Sequence, residues 1–484
     1  MKRELILSSA LLSTAVVGGV QAQSASKPDV LFLFIDDMTY DGLNVLGNDE
    51  IISPNLDRLI GRGVSFTNNY QQGGWGGAIS IASRSQLMTG LQLWNTSAAS
   101  AKDKYQGLMS DRVLWPQVMH DAGYNTFFTG KWHMADVHPD SIYDKTEVAR
   151  IGGMPQYRKG AGYNRPQSEE DNTWLSWDPE ELGYWVGGKH WSEVQADVTI
   201  DHINRSKDSR EPLFITCSFN AVHDPRQAPK EYFDMYETDK IALPESFQEI
   251  HPLCEQMGSG KNLRDEKLAP FPRTEYSVKR HRHEYYALIT HLDAQIGRII
   301  EALEASGRAD NTLIVIAADN GLAVGQHGLL GKQSMYDHSM KVPLIFVGCG
   351  LPEGEERTQL AYMQDLVPTI YEIAGIEQPA TMQFHSQLSQ LKSRKAKPNY
   401  ESVYGSYMSA QRMVRNERYK LFMIPKAQSY YLFDVVKDPL EMNDLSGDKR
   451  YAKVIKELAQ QYLDVAAEAG DKFDIKKSFP ELFE

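Results

Sequence analysis

The sequence predicts an α/β fold: a large, mostly parallel sheet with helices on both faces, followed by a smaller C-terminal subdomain of antiparallel strands and a helix. Continuous apolar runs at residues 30–35, 213–219 and 313–318 indicate strands buried on both faces, as in parallel sheets. Stretches with helical periodicity lie between such runs, and this alternation favours parallel pairing. From about residue 400, short segments rich in Tyr, Phe and Leu replace the alternation, which indicates the antiparallel sheet.

The remaining elements follow in chain order. Further strands are predicted at residues 125–129 and 342–347. Apolar spacing, Gly stops and a polar outer face predict helices over residues 54–60, 113–122, 193–204, 284–305, 365–374 and 451–469. Two long segments between these elements, residues 137–190 and 224–283, read as insertions that shape a site, because loops of this length rarely serve as plain connections.

The N-terminus and the net charge restrict location and partners. Residues 1–22 read as a secretory signal peptide: Lys2 and Arg3 precede a short apolar core, and cleavage is expected near Ala22. The apolar core is too short for a membrane span, so we expect a periplasmic or secreted protein with a main domain over residues 23–395 and a subdomain over 396–484. A formal net charge of −13 argues against nucleic acid as a partner.

Two pairs of oxygen-bearing side chains close predicted buried strands. Asp36 and Asp37 follow the run at 30–35, and Asp319 and Asn320 follow the run at 313–318. Either pair alone is as typical of a turn or a helix cap. Because the carboxyl ends of parallel strands share one edge of the sheet, the two pairs together favour a site for a hard cation, Ca²⁺ or Mg²⁺, rather than zinc.

A glycine-rich loop leads into a predicted helix start at Ser80. Gly73, Gly74, Gly76 and Gly77 allow tight backbone turns before it. A hydroxyl at a helix N-terminus lies in the positive end of the helix dipole, where anions bind. An ordinary N-capped helix explains the local pattern equally well.

Basic and imidazole side chains follow other strand ends. Lys131 and His133 come after the strand at 125–129 and, two apart on an extended segment, are expected on one side. His223 follows the run at 213–219, and Lys332 lies in a loop with several glycines. Such groups can neutralise anion oxygens and move protons, although a surface lysine beside a packed histidine, or a structural loop histidine, is the common alternative.

The stretch from Ser80 to Gly90, Ser-Ile-Ala-Ser-Arg-Ser-Gln-Leu-Met-Thr-Gly, resembles the [CS]-x-[PA]-S-R-x-x-L-x-T-G motif of the formylglycine-dependent (type I) sulfatases, which have an alkaline-phosphatase-like fold. The segments Gly-Lys-Trp-His at 130–133, Val-His-Asp-Pro at 222–225 and Gly-Leu-Leu-Gly-Lys at 328–332 resemble further family blocks, in family order. Val222 replaces the family's proline, so that match is looser. The chain looks like a serine-type bacterial carbohydrate sulfatase.

The resemblance implies a catalytic site. Ser80 is oxidised to formylglycine, whose hydrate attacks sulfur, and one Ca²⁺ (Mg²⁺ being the alternative) is held by Asp36, Asp37, Ser80, Asp319 and Asn320. Arg84, Lys131 and Lys332 stabilise the sulfate oxygens. His223 protonates the leaving alcohol, and His133 takes the proton of the second hydroxyl. The implied partners are a sulfated carbohydrate and a formylglycine-generating maturation enzyme.

The substrate class is inferred from secretion, aromatic residues and basic residues. An anionic glycan suits both the aromatic and the basic residues of the insertions, although a packed insertion core explains the aromatic residues equally well. These residues are Trp174, Trp177, Tyr184, Trp185 and Trp191, with Arg264, Lys279, Arg280 and Arg282. We expect a glycosaminoglycan-derived oligosaccharide, with uronate 2-O-sulfate favoured. Two alternatives share the pattern: a phosphoester or phosphonate monoester hydrolase of the same superfamily, and a non-catalytic glycan-binding homologue.

Overall fold

The computed structural model describes residues 27–100, 104–152 and 162–484. The predicted signal peptide, residues 1–22, lies outside the described residues. Within the described part of the chain, no helix is both long and apolar enough to cross a membrane.

The strands form one large sheet, one small sheet and a short hairpin. Their bounds are β1 (Asp29–Ile35), β2 (Gly63–Tyr70), β3 (Gly73–Gly74), β4 (Asn125–Lys131), β5 (Lys145–Arg150), β6 (Trp185–Val186), β7 (Lys189–His190), β8 (Leu213–Ser218), β9 (Thr312–Ala318), β10 (Leu344–Val347), β11 (Glu355–Tyr362), β12 (Ser402–Tyr407), β13 (Gln411–Asn416), β14 (Tyr419–Ile424) and β15 (Ser429–Asp434).

The helices occur between the strands and after the small sheet. Their bounds are α1 (Pro54–Ile60), α2 (Ile79–Thr89), α3 (Leu93–Ser100), α4 (Lys104–Ser110), α5 (Trp115–Asp121), α6 (Trp191–Ser206), α7 (Lys230–Phe233), α8 (Cys254–Met257), α9 (Glu275–Ala305), α10 (Asp337–Met340), α11 (Leu366–Ile373), α12 (Leu388–Lys392), α13 (Ala452–Glu468) and α14 (Ile475–Ser478).

The large sheet has the strand order β11-β2-β10-β9-β1-β8-β4-β5. β10 runs antiparallel to both of its neighbours, and the remaining pairs are parallel. All residues of β1 are buried, since helices cover both faces. On one face Trp115 of α5 packs with its ring centroid 5.2 Å from that of Phe32. The predicted parallel α/β architecture is confirmed.

The small sheet has the order β15-β14-β13-β12-β3. Its four C-terminal strands are antiparallel, as predicted, and α13 packs against β12, β13 and β14. The fifth strand, β3, comes from the glycine loop before α2 and pairs in parallel with β12, with Gly73 opposite Ser406. The loop that precedes Ser80 is therefore fixed by the C-terminal sheet.

Several details differ from the sequence prediction, and one of them is strand β5, which lies in a segment read as an insertion. Strands β2 and β11 were not predicted, because their segments mix charged, amide and apolar residues without a continuous apolar run. The strand expected at 342–347 forms only from Leu344 and is antiparallel. Helix α9 begins at Glu275 rather than at 284, since Thr274 and Ser277 form a capping box that extends it into the inserted segment.

We predict that Gly73→Ala destabilises the protein by about 2–4 kcal/mol. A Cβ there would lie 1.9 Å from the carbonyl oxygen of Ser406, and Gly73 has a φ of +89°. Thermal or urea unfolding measures the loss. Gly76→Ala is the matched control from the same loop, because its Cβ would meet nothing within 4 Å. Equal stability of the two variants would contradict the proposed link between the sheets.

Candidate active site

The predicted site residues meet at the carboxyl edge of four neighbouring strands, β9, β1, β8 and β4. The register pairs Ile35 with Ala318, so Asp36 and Asp319 follow β1 and β9 side by side. Lys131 ends β4, and His223 lies in the loop after β8. Ligand sites of open parallel sheets occupy this edge.

Three carboxylates form the centre of the cluster. Asp36, Asp37 and Asp319 are buried, and each offers an oxygen within 4.8 Å of the others. The backbone N–H of Asp37 donates to Asp319 Oδ1 at 3.1 Å, and Asp37 has a left-handed φ of 61° that turns its side chain toward the cluster. Burial and the neighbouring Asp319 raise the pKa of Asp36 to about 6. Like charges this close need compensation.

Each carboxylate is paired with a buried base. Lys131 Nζ contacts Asp36, Lys332 Nζ lies 2.6 Å from Asp37 Oδ1, and Arg84 Nε lies 2.9 Å from Asp319 Oδ2. Burial lowers the pKa of Lys131. Burial also opposes charging of Lys332, but Asp37 and Asp36 raise its pKa above the ordinary value. Among these six side chains, the three carboxylates are matched by three basic groups.

The donor set fits a hard divalent cation. The amide nitrogen of Asn320 donates to Asp37 and, at 3.0 Å, to Asp319 Oδ1. Its buried Oδ1 has no hydrogen-bond partner among the described residues. Turning the amide over would direct Oδ1 toward the same carboxylates and create an all-oxygen ligand set, which Ca²⁺ and Mg²⁺ prefer.

Ser80 faces this cluster from the first turn of α2. Its Oγ lies 3.3 Å from Asp36 Oδ1 and 3.4 Å from Lys332 Nζ, and the residue is 1% exposed. Ala78 occupies the N-cap position, and no side chain caps this helix end. The alternative that Ser80 is an ordinary capping residue is therefore wrong.

Arg84, one turn further along α2, joins three strand ends. One of its terminal nitrogens donates to the Lys131 carbonyl at 3.0 Å and to Ser218 Oγ at 2.6 Å, while Nε pairs with Asp319. The guanidinium carbon lies 4.7 Å from the centroid of the Phe34 ring. This arrangement fixes α2, and with it Ser80, against the sheet edge.

The two histidines differ in their surroundings. Burial and the charges of Lys131, Arg84 and Lys332 lower the pKa of His133 to about 2, so its imidazole is neutral. His223 Nε2 lies 3.6 Å from Asp37 Oδ2. Burial works against a charged imidazole there, but the surrounding carboxylates raise the pKa of His223 above its ordinary value. One neutral and one readily protonated imidazole suit a base and an acid.

Sequence reasoning missed the carboxylate beside His223. Asp224 Oδ1 lies 3.1 Å from His223 Nδ1, and Arg264 binds both carboxylate oxygens of Asp224. Arg264 was assigned to glycan binding from sequence, but it lies in the inserted segment and its donors turn inward. The adjacency of His223 and Asp224 was visible in the sequence, whereas the distant partner Arg264 was not.

Most of the aromatic residues expected to contact a glycan are packed inside. Trp174 and Trp191 are 2% and 7% exposed. Trp177 packs against Phe233 with 4.4 Å between ring centroids, and Arg280 pairs with Glu284. The insertion core that the sequence left as the alternative explains them.

Arg150 is a basic residue that the sequence reasoning did not select. It lies opposite Lys131 in the register of β5 and β4, and its guanidinium lies 4.7 Å from the Trp191 ring centroid. Its Nε is buried without a hydrogen-bond partner, burial lowers its pKa, and it forms no ion pair with a described carboxylate. An anionic ligand would compensate it.

Comparisons with known proteins agree with this geometry. The sulfatase family model matches residues 28–376, and the model for the C-terminal region of N-sulphoglucosamine sulphohydrolase matches residues 325–468. The chain is 26% identical to an N-acetylglucosamine-6-O-sulfatase of Bacteroides thetaiotaomicron over 94% of this chain and 89% of the relative. It is 25% identical to iduronate 2-sulfatase of Homo sapiens over 76% of this chain and 73% of that protein.

A solved structure shares the fold. A protein crystallised with its substrate D-glucosamine-2-N,6-O-disulfate superposes with a TM-score of 0.72 at 20% identity, covering 92% of this chain and 99% of that one. The family model spans most of the chain and includes every residue of the cluster. The chain belongs to the sulfatase family and is a sulfuric ester hydrolase.

Proposed function

We propose that this protein hydrolyses a sulfate ester on a sulfated glycan, by means of a formylglycine made from Ser80. The observation that carries the proposal is the direction of the Ser80 hydroxyl, which faces the carboxylate cluster and Lys332 instead of capping α2. An aldehyde hydrate at this position supplies a nucleophile with a second hydroxyl for releasing sulfate. The glycine loop and Arg84 hold residue 80 in place.

We assign one Ca²⁺, or Mg²⁺, to Asp36, Asp37, Asp319, Asn320 and residue 80. The cation supplies positive charge for the sulfate oxygens and for the nucleophile when it is bound. Because the three carboxylates already balance the three bases, a divalent cation leaves two positive charges. That excess matches the two negative charges of the sulfate product.

The bases and histidines then have separate tasks. Arg84, Lys131 and Lys332 stabilise the negative charge of the sulfate oxygens from fixed positions, so little reorganisation is needed. His223 donates a proton from Nε2 to the leaving oxygen, because its Nδ1 is occupied by Asp224. The neutral His133 accepts the proton of the second hydroxyl when sulfate is released.

A glycosaminoglycan-derived oligosaccharide is the proposed substrate, with uronate 2-O-sulfate favoured. Relatives named for glucosamine 6-O-sulfate and for iduronate 2-sulfate support the class. Arg150 supports a second anionic group on the sugar, such as a carboxylate. We further propose that residues 1–22 direct export to the periplasm or beyond the cell, and that a maturation enzyme converts Ser80.

We predict that Ser80→Ala lowers turnover of a sulfated disaccharide by roughly 10⁴-fold or more. In the wild-type protein, mass spectrometry should find the peptide containing residue 80 lighter by two hydrogen atoms. Ser85→Ala on the same helix is the control and should retain modification and activity. Full activity of Ser80→Ala, or glycan binding by an unmodified protein without turnover, would contradict the proposal; the second result indicates a non-catalytic homologue.

Metal binding provides a second prediction, with a readout other than activity. Ca²⁺ at about 100 times its Kd should stabilise the wild-type fold by about 2.7 kcal/mol in thermal unfolding, and Asp37→Asn should abolish the effect. Asp365→Asn is the control, since Asp365 is a buried carboxylate outside the cluster. Elemental analysis should give one calcium or magnesium per chain. Two zinc ions with dominant phosphatase activity would favour the phosphoester or phosphonate alternative.

Arg150→Gln tests the proposed second anionic group. KM for a sulfated disaccharide that carries a uronate should rise about tenfold or more, because an anion loses a charged hydrogen-bond partner, while kcat changes little. KM for an uncharged sugar bearing a single sulfate should stay the same. Arg205→Gln, which removes an exposed arginine paired with Glu147, is the control. An equal change of KM for both substrates would indicate that Arg150 has a structural role and does not bind a second anionic group.

A further inference from the structure

Beside the catalytic cluster, a chain of contacts leads from His223 into the inserted segment. His223 Nδ1 lies 2.8 Å from the backbone oxygen of Asp224 and 3.1 Å from its Oδ1. Both acceptors face the same ring nitrogen, so Nδ1 carries the hydrogen. The opposite nitrogen, Nε2, is thereby directed toward Asp37 and the cluster.

The carboxylate that orients this ring is itself held by Arg264. Both terminal nitrogens of the guanidinium bind Asp224, one to each oxygen, with 2.8 Å between Nη1 and Oδ1. Asp224 is 5% exposed, and a two-point contact of this kind fixes the plane of a carboxylate as well as its charge. Without that contact, a buried carboxylate loses its counter-charge and its orientation.

A second contact fixes Arg264. Its Nη1 donates to Asp265 Oδ1 at 2.9 Å, and Asp265 Oδ2 accepts from Gln333 Nε2 at 2.8 Å. Gln333 Oε1 in turn accepts the backbone N–H of Lys332 at 3.0 Å. Arg264 is therefore anchored to the loop that carries Lys332. Hydrogen bonds to residues beside the cluster fix the position of its guanidinium.

We propose that Arg264 is a positioning residue for the reaction: through Asp224 it holds the His223 ring so that Nε2 delivers its proton to the leaving oxygen. This inference rests on the proposed function, because it requires His223 to be the leaving-group acid. The proton on Nε2 passes to the ester oxygen as the S–O bond breaks, and the ring recovers a proton from water afterwards. In this proposal Arg264 acts through Asp224 and not on the reacting atoms.

The dependence of rate on the leaving group tests the role. A sugar alkoxide needs protonation as it departs, whereas 4-nitrophenolate leaves without it. Arg264→Gln should lower kcat for a sulfated sugar by about 10–100-fold and kcat for 4-nitrophenyl sulfate by less than about threefold. Arg264→Lys, which keeps the charge but not the two-point contact, should recover only part of the loss.

The pair of Arg308 and Asp29, at the N-terminal end of β1, provides a matched control. Arg308 binds Asp29 with Nε 2.7 Å from Oδ2 and Nη2 2.8 Å from Oδ1, in the same two-point manner but far from the cluster. Arg308→Gln should lower the unfolding temperature and leave the ratio of the two kcat values unchanged. An equal loss on both substrates in Arg264→Gln would overturn the proposal and make Arg264 structural.

A double-mutant cycle covers the case in which the aryl sulfate is a poor substrate. In a His223→Ala background, Arg264→Gln should change kcat for the sulfated sugar less than about twofold, because the group on which it acts is gone. A loss as large as in the wild-type background would refute the proposal. A wild-type protein inactive on every sulfate ester would instead refute the proposed function, so the two failures are distinguishable.

Discussion

Three buried carboxylates, with one oxygen of each within 4.8 Å of the others, are the constraint on which the rest of the site depends. Asp36, Asp37 and Asp319 repel each other in a region of low dielectric, and burial alone already disfavours their charged forms. Three bases offset that cost, because each of them pairs with one of the carboxylates. They are Lys131, Lys332 and Arg84. Removal of a single partner from such a pair typically costs about 3–5 kcal/mol, so each of these bases stabilises the fold in addition to its proposed catalytic role.

Both sheets hold Ser80 in place. The central strands of the large sheet place the carboxylates and Lys131 at one edge. The small sheet fixes the loop before Ser80 through the pairing of β3 with β12, and Gln333 donates to the carbonyl oxygen of Gly77 in that loop. The geometry of residue 80 therefore depends on contacts from both halves of the chain.

The sequence predicted the secondary-structure elements whose environment can be read from the pattern of their own residues. Val30 to Ile35 is a continuous apolar run because β1 is buried on both faces, and the acidic pair after it marks a strand end directed to a site. Strands β2 and β11 were not predicted, because they form by pairing with each other and their residues show no continuous apolar run. Asp224 and Arg264 escaped for the same reason: forty residues separate them, and only the folded insertion brings them together.

In the proposed function, the roles of the cluster residues depend on the positive charge that a bound divalent cation would add. With the cation bound, the cluster should carry excess positive charge and attract sulfate; without it, the bases are occupied by the carboxylates. Calorimetric titration of inorganic sulfate into Ser80→Ala protein, with and without Ca²⁺, measures this coupling directly. We expect Ca²⁺ to raise the affinity for sulfate at least about tenfold, and sulfate to raise the affinity for Ca²⁺ by the same factor. Equal sulfate affinity in the presence and absence of the cation would contradict the charge-balance account.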